Sequence, residues 1–202
     1  FNTLTDVDQA LQILEKGSVV TLKESNFLVR ADYEFPALGK EINLDLSAFL
    51  LDESGHTPSA KHFIFYSNPL SPDKSVECFD DTKIQDDPGG IGEMTLRIDL
   101  SRTEPEVMQI IVILTIHEAE EKDQTISDLH HPYIRFCNDS SELYRFELIG
   151  VGLDRSLEFC RILRNGGKWV LVATGIGSPN ELIGHVRTYV RPVDLETRCD
   201  AG

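Results

Sequence analysis

A chain of 202 residues and 22.7 kDa buries one sizeable core, or two small ones at most, and 41% apolar with 26% charged residues is a globular composition rather than a disordered one. Its longest apolar run, Ile110 to Ile116, falls far short of the ~18 residues that cross a bilayer, so no membrane span is expected. With 19 basic against 34 acidic residues the net charge is −15, which makes nucleic acid a poor partner and divalent cations a better one.

Phe1 to Asp8 have neither the basic end nor the apolar stretch of a signal peptide. Residues Thr5 to Lys16 instead read as a short helix. Thr5 is placed to cap it, Asp6 and Asp8 suit its positive end, and Val7, Ala10, Leu11 and Leu14 share one face before Gly17 stops it. Beyond Gly17 the period changes to two, with Val19, Thr21 and Lys23 alternating against Val20, Leu22 and Glu24. Strand-like runs follow at Phe27–Ala31, Ile42–Leu51, His62–Tyr66, Met94–Leu100, Gln109–His117, Tyr133–Asn138, Tyr144–Leu148, Leu157–Arg164 and Trp169–Thr174. Turn clusters divide them, and Asn165-Gly166 between two runs is a hairpin signal. A second short helix is expected over Gln124–His131 and a last strand around His185–Arg191. This cadence predicts an all-β fold, a two-sheet antiparallel β-sandwich with a short N-terminal helix and few other helices. The organisation expected is a helical extension over 1–16, a sandwich over 17–177 and a C-terminal extension over 178–202.

The four cysteines, Cys78, Cys137, Cys160 and Cys199, are widely and unequally spaced, with no CxxC. That argues for reduced, mostly buried thiols rather than a zinc site or a disulfide scaffold. Gly175-Ile176-Gly177 lacks the third glycine of a dinucleotide loop, because Asn180 stands there. His130 and His131 are adjacent, and neighbours on a helix or strand point to different faces, so the pair reads as a polar loop or helix end rather than as two ligands of one ion. His117 with Glu118, and His130 with Asp128, each offer an acid and a base without a nucleophile or oxyanion donor, so no enzymatic activity is expected.

Two acidic stretches carry more information. Asn43 and Asp45 fall on one side of an extended segment, as two oxygen ligands of a hard cation would. Asp80, Asp81, Asp86, Asp87 and Glu93 share a segment with Gly89, Gly90 and Gly92, where five carboxylates repel unless solvated or neutralised by a cation. It is not an EF-hand: counted from Asp81, the glycine position holds Asp86 and the bidentate position Gly92. On residue types alone, a calcium site and a solvated acidic turn both stand.

Several strings in order then carry a resemblance: Val20-Thr21-Leu22-Lys23-Glu24, Asn43-Leu44-Asp45-Leu46-Ser47-Ala48-Phe49-Leu50-Leu51, Phe63-Ile64-Phe65-Tyr66-Ser67-Asn68, Thr115-Ile116-His117-Glu118-Ala119, Tyr133-Ile134-Arg135-Phe136-Cys137-Asn138 and Leu163-Arg164-Asn165-Gly166-Gly167-Lys168-Trp169. From about Leu14 to Gly177 the chain resembles the TerD-type tellurium-resistance and stress-protein family. The resemblance implies a β-sandwich whose acidic loops bind calcium, in a cytoplasmic stress-response protein with no catalytic residues. The calcium ligands it implies are Asn43, where the family has Asp, Asp45 and Asp81, with Asp86 and Asp87 upstream of Gly89-Gly90-Ile91-Gly92, which lacks the family's acids, and Asp32 as a further ligand. Fewer charged ligands mean a weakened or partial calcium site. The function expected is a non-enzymatic, calcium-binding stress protein whose ion-ordered acidic loop meets a protein partner of unknown identity. The alternative is a metal-independent interaction module of the same fold.

Overall fold

The computed structural model describes residues 10–37, 39–80, 94–139, 141–150 and 152–196. Its strands in chain order are β1 (Gln12–Leu14), β2 (Val19–Thr21), β3 (Asn26–Asp32), β4 (Phe35–Pro36) and β5 (Leu44–Leu51). There follow β6 (Phe63–Ile64), β7 (Val76–Asp80), β8 (Met94–Asp99), β9 (Gln109–Ile116) and β10 (Leu129–His130). The last are β11 (Tyr133–Cys137), β12 (Glu142–Glu147), β13 (Ser156–Asn165), β14 (Lys168–Val172) and β15 (Ile176–Ser178), followed by helices α1 (Leu182–Tyr189) and α2 (Pro192–Glu196).

All but β4 and β10, which pair with each other, form two facing sheets. One has the order β1-β12-β11-β3-β8-β7, the other β2-β14-β13-β9-β5-β6, with β15 also paired to β13. Every pairing is antiparallel except β1 against β12. The core between the sheets draws alternate residues from each: Leu44, Leu46, Ala48 and Leu50 of β5, Ile110, Val112, Leu114 and Ile116 of β9, and Val29, Ile98, Ile134 and Phe136 from the facing sheet.

The intervening residues of β5 and β9 would ordinarily face water. Here Phe49, Leu51, Ile111 and Ile113 are buried again, in a second apolar cluster completed by Phe63, Val186 and Val190. Helix α1 lies over this face, which is why both strands read as continuous apolar runs. Phe49 stacks on Phe63 at 4.4 Å between ring centroids and meets Tyr189 of α1 at 5.1 Å. Beside it, Tyr189 donates a hydrogen bond to Glu158 Oε2 (2.9 Å), while Arg161 donates to both carboxylate oxygens of Glu158 (2.6 and 3.2 Å). His185 Nε2 stands 2.7 Å from Ser156 Oγ, which itself donates to the Asn180 carbonyl at 2.7 Å. These bonds tie α1 to β13.

Three expectations are corrected. The helix expected over 5–16 does not form in its described part: Gln12–Leu14 is the parallel edge strand β1, buried at Leu14, while Leu11 is 42% exposed. A short helix has an unfavourable nucleus to overcome, and the free edge of β12 offers ladder hydrogen bonds instead. The strand expected at His185–Arg191 is the end of α1: Leu182, Val186, Tyr189 and Val190 recur at helical spacing and cover the sheet. The helix expected over Gln124–His131 shrinks to a 3-10 turn at Ile126–Asp128, where Asp128 accepts from the Thr125 amide at 2.9 Å, and the chain then enters β10. The Asn165-Gly166 hairpin forms. Asn165 pairs with Lys168, so Gly166 and Gly167 make the two-residue loop, both at positive φ (55° and 81°), as the tightest primed turn requires.

Candidate functional site

Asn43 immediately precedes β5, and Asp45 is its second residue. Antiparallel pairing sets Leu44 opposite Ile116 and Asp45 opposite Thr115, so these two residues meet the chain as it leaves β9. The His117 amide donates to the Asn43 carbonyl at 2.9 Å, and the His117 ring places Nδ1 3.5 Å from Asp45 Oδ2. Strand alternation predicts that His117 and Glu118 face apart, but β9 has ended by then. Glu118 adopts a positive φ of 55°, and its Oε1 comes to 3.5 Å from His117 Nε2. Lys122 pairs with Glu118 at 2.9 Å and holds its carboxyl below the usual range, so a chain of charged contacts runs from Asp45 through His117 and Glu118 to Lys122.

The acidic segment joins the fold at this same end. Cys78 of β7 donates its thiol to the Leu46 carbonyl of β5 at 3.6 Å. Burial, reinforced by the nearby charge of Asp45, pushes that thiol up to about 12. Two residues farther along β7, Asp80 pairs with Met94 of β8 and closes the described base of the 81–93 connection. The register of β3 on β8, with Arg30 opposite Thr95, brings Asp32 to the same border. Asn43, Asp45, Asp32 and both ends of the acidic connection therefore gather at one end of the sandwich.

Of the residues expected to hold calcium, Asn43, Asp45 and Asp32 are described, whereas Asp81, Asp86 and Asp87 lie outside the described residues. Asp32 is buried, and Arg135 of β11 grips it with two hydrogen bonds, Nε to Oδ2 at 2.7 Å and Nη2 to Oδ1 at 3.2 Å. Calcium takes six to eight oxygens. Asn43, Asp45 and a carboxylate already engaged by arginine do not by themselves complete such a shell. The donor groups that converge within 4.8 Å among the described residues lie elsewhere: Glu34 with His130 and His131, and His62 with Glu104 and Glu106. Sequence reasoning missed Arg135 and Glu34, because their partners are 103 and about 96 residues away and no local pattern joins them.

A family model described as the TerD domain matches residues 11–189. The tellurium resistance protein TerD of Serratia marcescens is 31% identical over 173 residues, which cover 81% of this chain and 89% of that protein. General stress protein 16U of Bacillus subtilis (strain 168) is 28% identical over 145 residues, 69% of this chain and 72% of the relative. A crystal structure of a homologue of telluride resistance protein (TerD) from Streptomyces coelicolor A3(2) aligns with a TM-score of 0.62 at 17% identity, covering 79% of this chain and 93% of that one. A second crystal structure, of a protein of unknown function, aligns with a TM-score of 0.64 at 16% identity over the same shares.

Proposed function

This chain belongs to the TerD domain family, and from that membership we propose that it is a calcium-binding, non-enzymatic stress-response protein of the tellurium-resistance type, acting in the cytoplasm. The observation that supports calcium is the gathering of Asn43, Asp45 and both ends of the acidic 81–93 connection at one end of the sandwich. In this reading Asn43, Asp45 and Asp81, with Asp86 or Asp87, would hold the ion. Binding neutralises carboxylates that otherwise repel, orders the connection, and presents its surface to a protein partner. The ion supplies charge neutralisation only, and the chain's own residues do the rest.

The second reading is a metal-independent interaction module. It draws on Asp32, whose two oxygens are already engaged by Arg135, and on Gly89 to Gly92, which supply no acid. Thermal unfolding with calcium and with a chelator separates the two, using the wild type and the Asp45→Ala and Asp81→Ala variants. A site filled at about 100 times its dissociation constant adds roughly 2.7 kcal/mol. A calcium-dependent rise in midpoint that both substitutions abolish is the result expected. No shift at millimolar calcium would leave the metal-free module.

A further inference from the structure

Strands β4 and β10 form a two-residue ribbon outside the two sheets, with His130 opposite Phe35 and Leu129 opposite Pro36. The Glu34 amide donates to the His130 carbonyl at 2.9 Å, and the Ala37 amide to the Asp128 carbonyl at 2.6 Å. These bonds fix Glu34 and His130 on adjoining backbones. His131 then takes a left-handed conformation, φ +48°, which few non-glycine residues adopt. That turn breaks the alternation which would send the two imidazoles apart. The rings instead lie with centroids 4.3 Å apart, tilted by 37°, and both reach one carboxylate: His130 Nδ1 to Glu34 Oε2 at 3.3 Å, and His131 Nδ1 to Glu34 Oε1 at 3.0 Å.

All three side chains are open to solvent, where such contacts add little to stability. A left-handed histidine costs something, so the convergence calls for another explanation. The distances supply one. With metal–donor bonds of about 2.1 Å, neighbouring donors in a tetrahedral or octahedral shell stand about 3.0–3.4 Å apart. The two nitrogen–oxygen separations fall within that interval. The donor set, two imidazole nitrogens and a carboxylate, suits zinc, cobalt, nickel or copper rather than calcium, which prefers oxygen alone. A cleft of about 540 Å³ bordered by Glu34, His131, Tyr133, Arg145 and Glu147 adjoins the cluster and gives an ion and its waters a way in. The His62, Glu104 and Glu106 group does not compare, because His62 is buried and its Nδ1 stands 3.0 Å from Ser59 Oγ.

We propose that Glu34, His130 and His131 form a three-ligand site for a borderline divalent transition-metal ion such as zinc, separate from the carboxylates around Asp45 and leaving coordination positions for water. Binding moves the Nδ1 proton of each neutral imidazole to Nε2 through solvent, so that each Nδ1 lone pair turns to the metal.

The test is titration of the full, untagged chain with zinc by calorimetry and with cobalt by visible absorption, in millimolar calcium to occupy any carboxylate site. One ion per chain is expected, at tens of micromolar or tighter, with cobalt bands of mixed nitrogen and oxygen ligation. Glu34→Gln, His130→Gln and His131→Asn should each weaken it at least about tenfold. Asparagine tolerates the left-handed backbone, so His131→Asn keeps the turn, and an unchanged unfolding midpoint confirms the fold. His117→Gln should bind as the wild type does. Affinity weaker than millimolar, or binding that survives the three substitutions and falls with His117→Gln, would overturn the site.

Discussion

Asp32 sits at 2% exposure, and the partly exposed Arg135 donates to both of its oxygens. Taking the charge from Asp32 weakens both of these charge-assisted bonds, at about 1–3 kcal/mol. Asp32→Asn should therefore lower the urea-unfolding free energy by about 1–3 kcal/mol even with a chelator present, a loss that a purely metal-binding role would not produce. His185 is the second residue whose surroundings set a measurable property. Burial pushes its imidazole below the ordinary 6.5, against a smaller opposing pull from Glu158. Above pH 6.5 both folded and unfolded chains hold it neutral, and its contribution is intact. As the pH falls below 6.5 the unfolded chain takes up a proton that the folded chain refuses, so stability declines until the folded value is passed. Between pH 7 and pH 5 the urea midpoint of the wild type should fall further than that of His185→Gln. Neither environment was legible in the sequence, where Asp32 read as a ligand and His185 as part of a strand: their partners come from strands distant in the chain.

The strands were legible because their period of two survives as a buried and a half-buried face in β3 and β11. The covering helix was not. The clue lay in β5 and β9, whose continuous apolar runs required a lid on the outer face, but nothing local to residues 182–190 said which segment supplied it. The energetic weight of that lid falls on Phe49, fully buried between Phe63 and Tyr189. Phe49→Ala should cost about 3–5 kcal/mol in unfolding free energy. It should also raise amide exchange in α1 more than in β3, since the helix loses its anchor while the facing sheet keeps its core. The hairpin is the opposite case, read correctly because its turn chemistry is local. Gly167→Val at φ +81° should destabilise by about 1–2 kcal/mol without altering the core.

At the scale of the whole molecule, 34 acidic residues against 19 basic ones set a self-repulsion that opposes compactness. Sodium chloride screens it over a Debye length of about 10 Å at 0.1 M. Raising it from ~10 mM to ~0.5 M should lift the thermal midpoint by a few degrees, despite weakening exposed pairs such as Arg97 with Glu77. Calcium at matched ionic strength should exceed that shift only if the carboxylate end binds it specifically. The sandwich also determines what happens to its sulfur. Cys78 lies under the Leu46 carbonyl, Cys160 is sealed inside β13, and burial raises both thiols, the first to about 12. At neutral pH a thiol raised this far stays protonated, and the thiolate is the form that peroxides and electrophiles attack. The fold thus withdraws these sulfurs from oxidation, so that a protein of stress conditions keeps its interior chemically inert.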